Sequence, residues 1–95
     1  MTTRDEYVDR MKRQLDEWNR DIDRLEAQAA SGEARAKLRY TEQMEKARRR
    51  RDDLQQRLDE LQRSSGDAWE RMKGGVDEAG NALREALADA RKELE

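Results

Sequence analysis

At 95 residues, 46% of them charged and 34% hydrophobic, the chain has room for one structural unit but too little apolar material for a globular core of ordinary composition. Its 21 basic and 23 acidic side chains give a net charge of −2. That is mixed charge rather than the self-repelling charge of a disordered tail. Proline, cysteine and histidine are absent, which excludes disulfides, a thiolate nucleophile, a Cys/His metal site and an imidazole base.

In chain order, Thr3 with Glu6 fits a capping box and starts a helix near residue 3. No apolar stretch stands behind the polar N-terminus, so the sequence predicts no signal peptide and a cytoplasmic protein. An apolar stripe then runs Val8, Met11, Leu15, Trp18, Ile22, Leu25, Ala29, Gly32, Ala36, with gaps alternating between three and four. This is the 3.5-residue period of a left-handed coiled coil. It continues through Tyr40, Met44, Ala47, Arg51, Leu54, Leu58 and Leu61, with a phase slip between Gly32 and Met44. Ser64-Ser65-Gly66 ends the run, and Asp67 with Glu70 offers a second capping box. A second stripe follows at Trp69, Met72, Val76, Ala79, Leu83, Ala86, Ala90 and Leu94.

The pattern predicts an all-α single unit over residues 1–95: a long helix of residues 3–63, about 90 Å, a turn at 64–66, and a folded-back helix of 67–94, about 42 Å. Ser31-Gly32 is the alternative break, which would give a three-helix bundle. The seam crosses Gly32 in register and no capping box follows, so the continuous helix is preferred. Charge supports the fold-back. Residues 33–63 carry 10 basic and 7 acidic side chains, against 5 and 8 in residues 64–95 and 6 and 8 in residues 1–32. The hairpin pairs Trp69 with Leu61, Val76 with Leu54, Leu83 with Ala47 and Ala90 with Tyr40, and sets Arg51 opposite Ala79. It leaves Val8, Met11, Leu15, Trp18, Ile22 and Leu25 uncovered, so these six are the expected oligomer interface. A second copy should cover them in a homo-oligomer, a dimer first.

Candidate chemistry is thin. Carboxylates abound, but acid-first i,i+4 pairs account for them: Glu6–Arg10, Asp9–Arg13, Asp16–Arg20, Glu42–Lys46, Glu45–Arg49 and Asp53–Arg57. Ser31, Ser64 and Ser65 have no base to activate them. No enzyme, cofactor, metal or small-molecule substrate is expected. Arg48–Arg51 suggests phosphate or nucleic-acid binding, yet successive helix positions point in four directions and Glu45, Asp52 and Asp53 sit alongside. The second helix could lie on a membrane surface, although its polar face is acidic.

The stretch Tyr7-Val8 through Leu15-Asp16-Glu17-Trp18-Asn19, followed by Ile22-Asp23-Arg24-Leu25-Glu26, resembles the start of a family of small bacterial coiled-coil stress-response proteins. So do Lys37-Leu38-Arg39-Tyr40 and Gly66-Asp67-Ala68-Trp69-Glu70 through Val76. Leu-Asp-Glu-Trp-Asn and Asp-Ala-Trp-Glu are the distinctive blocks. The resemblance implies a helical, non-enzymatic, stress-linked protein and transfers no functional residues. This chain departs from it at Gly80-Asn81, where an aromatic is expected. The function expected is therefore a structural or interaction protein, a coiled-coil scaffold or adaptor for copies of itself or for another protein partner. The rival readings are an amphipathic lipid-surface or desiccation-type protector and a nucleic-acid-associated protein acting through Arg48–Arg51.

Overall fold

A computed structural model describes residues 3–30 and 34–94, with only the helical backbone described at 34–36. The described residues form three helices and no strand: α1 (Arg4–Ala29), α2 (Ala34–Arg63) and α3 (Ala68–Lys92). Thr3 caps α1 as expected, its hydroxyl accepting from the Glu6 N–H at 3.2 Å and donating to the Glu6 carboxylate at 3.1 Å. Between α2 and α3 the chain reverses through Gly66, whose φ of 61° is one that side chains resist and glycine tolerates. Ser64 closes the end of α2, donating from its hydroxyl to the Leu61 carbonyl at 2.6 Å. Asp67 occupies the N-cap of α3 without a side-chain capping bond, so the second capping box does not form.

The continuous helix of residues 3–63 is corrected. Its 90 Å cannot fit a molecule whose longest extent is 51 Å. Instead α1 lies antiparallel to α2, with Asn19 meeting Arg51 and Glu26 meeting Arg48. The alternative break at Ser31-Gly32 falls outside the described residues. The physical reason for the two helices is cover. Folding back buries the Val8–Ala29 stripe within its own chain, whereas capture of a second copy would also cost the freedom of an independent molecule.

One core results. Tyr7, Val8, Leu15, Ile22 and Leu25 from α1 join Met44, Ala47, Leu54, Leu58 and Leu61 from α2, and Trp69, Val76, Leu83, Leu87 and Ala90 from α3. All eight residues of the expected α2–α3 pairing lie in it. Each fully buried large aliphatic stabilises by about 1.5–3 kcal/mol relative to exposure, so this cluster dominates the fold. Apart from Tyr7 and Tyr40, no residue with a polar or charged side chain among those described is buried. Tyr7 and Leu87 lie beside the narrow stripes read from the sequence. They widen the apolar faces to the arc a helix needs when it has two neighbours.

Candidate functional site

The six residues expected at an oligomer interface lie inside this core or at its edge. Val8, Met11, Leu15, Ile22 and Leu25 are buried, and Trp18 packs half-buried against them. Cover comes from α2 and α3 of the same chain, so the expectation that they face water unless a second copy arrives is corrected.

The described residues gather their polar groups most densely where α1 runs parallel to α3. Tyr7, fully buried, donates its hydroxyl to Asp77 Oδ1 at 2.6 Å. Its ring lies 6.1 Å from that of Trp69. The Lys73 ammonium sits 5.4 Å from the Tyr7 ring and 5.6 Å from Trp69, and the Arg10 guanidinium stands 5.4 Å from Tyr7. Cation–π contacts of this kind add roughly 0.5–1 kcal/mol each at partly exposed sites. Burial, reinforced by the bond to Asp77, pushes the Tyr7 hydroxyl well above its ordinary pKa of 10.0. The group therefore stays protonated and acts as a donor, not as a base.

One turn further along, Met11, Gln14 and Trp18 face Asp77, Gly80, Asn81 and Arg84 across a groove of about 440 Å³. Gly80 stands where an aromatic was expected on α3. A Cβ there would approach Trp18 to 3.3 Å. The indole of α1 thus fills the space from the opposite helix. Both distinctive sequence blocks acquire structural roles here: Leu15 is core, Trp18 covers Gly80, Asn19 accepts from Arg51 at 3.4 Å, and Trp69 stacks beside Tyr7.

The arginine row divides. Arg48 donates to Glu26 of α1 through Nε at 3.0 Å and also through Nη2. Arg51 reaches Asn19, and its Nε lies 3.2 Å from Asp52. Its guanidinium thus points to α1, and the groove bordered by Ala79 is lined by Arg50 and Arg57. Two of the four guanidiniums therefore brace α1 and one turns toward α3, so no single face carries all four. Of the six i,i+4 pairs read from the sequence, Asp53–Arg57, at 3.0 Å, forms among the described residues. Arg4 bridges to the Ser64 carbonyl and ties the start of α1 to the turn after α2.

Near the other end, Tyr40 is buried with its hydroxyl unpaired among the described residues, as is Gln43 Oε1. Burial, with Glu26 nearby, raises the Tyr40 pKa as well. No group of three or more carboxylates converges to hold a metal ion among the described residues. No described helix is long and apolar enough to cross a membrane. No protein-family model, curated protein or solved structure matches this chain.

Proposed function

We propose that this chain is a non-enzymatic interaction protein of the cytoplasm, a small helical scaffold or adaptor that works as a homo-oligomer and serves a stress response. The observation that carries the reading is the separation of its chemistry. Among the described residues twenty form the interior, and apart from Tyr7 and Tyr40 no residue with a polar or charged side chain is buried with them. Catalysis draws on groups whose protonation burial tunes toward the working pH, whereas burial moves the Tyr7 and Tyr40 hydroxyls further from it. Recognition by a charged helical surface needs no such group. The sequence resemblance supplies the stress link, and the division of Arg48–Arg51 weighs against a phosphate-binding row.

Sedimentation over a concentration range tests the reading, combined with circular dichroism in the presence and absence of phosphatidylserine vesicles. The chain should be fully helical and dimeric at low micromolar concentration, with helicity unchanged by lipid. A monomer that gains helix on vesicles would replace the scaffold with a lipid-surface protector. Submicromolar binding of a nucleic-acid duplex at about 150 mM salt would replace it with the nucleic-acid reading.

A further inference from the structure

We propose that the groove between α1 and α3 binds a small aromatic carboxylate, with the ring on the Trp18 indole and the carboxylate on Arg84. This goes beyond the scaffold reading and does not depend on it. The site stacks a ring and pairs a charge but places no group to react, so the molecule it holds is a ligand and not a substrate.

Shape carries the first half of the inference. The helices α1 and α3 pack less closely on each other than α2 and α3 do, and the opening between them is a groove of about 440 Å³. Pockets that hold small molecules run from about 300 to 1,000 Å³. Met11, Trp18 and Gly80 give this one an apolar wall. Gly80 keeps that wall flat, because a Cβ there would stand 3.3 Å from the Trp18 ring and 3.7 Å from the Met11 methyl. The indole therefore lies against the backbone of α3, half-buried, with the rest of its surface open beside a thioether. A planar ring and a polarisable sulfur favour an aromatic guest.

Charge carries the second half. Asp77 and Arg84 line the groove two turns of α3 apart, about 10.5 Å along its axis. Asp77 is already served. Its Oδ1 accepts from the Tyr7 hydroxyl at 2.6 Å, and the Arg10 and Lys73 cations each stand 5.4 Å from that tyrosine ring. Arg84 is not. It is exposed and makes no hydrogen bond or ion pair among the described residues. Its neighbours three and four positions away, Gly80, Asn81, Leu87 and Ala88, offer no carboxylate. Arg84 is thus the charge that the groove leaves uncompensated, and its planar fork fits a carboxylate through two parallel bonds. Asn81 lines the same groove three residues before it, with an amide that can donate a third bond. A single guanidinium, with Asp77 at the far end, favours one negative charge over the two of a phosphate monoester.

The probe is 2-naphthoate, followed through the indole N–H resonances of Trp18 and Trp69, the two tryptophans of the isotope-labelled chain. Binding should show a Kd of about 1 mM or tighter and move the Trp18 signal, leaving buried Trp69 unmoved. The neutral analogue 2-naphthalenemethanol should bind about tenfold more weakly. Arg84→Gln should weaken naphthoate about tenfold and leave the alcohol unchanged. Because Arg84 is exposed and unpartnered among the described residues, this variant should melt with the parent. Gly80→Ala displaces the Trp18 ring and should weaken both probes. No Trp18 shift up to about 5 mM probe overturns the site, as does equal movement of both indoles. Equal affinity for acid and alcohol, or naphthoate binding indifferent to Arg84→Gln, overturns it as well.

Discussion

The α2–α3 hairpin and α1 are held by different physics. Along the hairpin, Leu54, Leu58, Leu61, Val76 and Leu83 are essentially sealed from water, and the two helices pack closely over most of their length. Burial of this kind is strong and non-directional. The helix α1 contributes apolar residues too, but its placement depends on directional contacts. Tyr7 reaches Asp77, Trp18 covers Gly80, Arg48 and Arg51 bridge from α2 to α1, and Arg4 ties α1 to the turn after α2. The hairpin helices thus pack most closely on each other, while polar and aromatic anchors fix where α1 sits.

The largest test of that contrast is a pair of truncations. Leu58→Ala opens a cavity in the hairpin and should cost about 2–5 kcal/mol in denaturant unfolding. Leu15→Ala should fall at the lower end of the same range, because half-exposed Trp18, one turn along α1, can settle into the space. Equal losses, or a greater loss at Leu15, would mean that α1 is as integral to the core as the hairpin.

Tyr7→Phe keeps the buried ring and removes the bond to Asp77. It should cost about 1–2 kcal/mol near neutral pH. The sign of the pH effect follows from the raised pKa. The folded state holds the Tyr7 proton more tightly than the unfolded state does, so the stabilisation is complete below about pH 10 and is lost as the pH rises above it. The phenylalanine variant should therefore show a shallower alkaline fall in its urea midpoint above about pH 10. Tyr40, raised in the same direction, contributes equally to both proteins. Superimposable alkaline limbs would show that the Tyr7 hydroxyl does not anchor α1.

The smallest effect is expected from Glu26→Gln. The Glu26–Arg48 pair joins side chains that are each 40% exposed, so water and salt screen it. Its loss should cost less than about 1 kcal/mol, and the remaining difference from the parent should shrink further in high salt. A larger, salt-insensitive loss would place the main attachment of α1 in its ion pairs instead of its aromatic anchors.

Much of this molecule is legible in its sequence because its determinants are local. Helix propensity, absence of proline, the Thr3–Glu6 cap and the Ser64–Gly66 turn act within a few residues of themselves, and the period of Trp69, Val76, Leu83 and Ala90 marks the buried face of α3. The face opposite each stripe was less legible. The adjacent pairs Tyr7-Val8 and Ala86-Leu87 broaden the apolar arcs enough for two neighbours, a signal hidden by counting only one seam residue every three or four positions. What covers Val8 to Leu25 is a question of distance in space. A 3.5-residue seam is equally satisfied by a helix of its own chain or of another, because burial rewards apolar contact regardless of its source. Only the tertiary arrangement decides it, by bringing Asp77 to Tyr7, Gly80 beneath Trp18 and Glu26 to Arg48 from positions 22 to 70 residues apart.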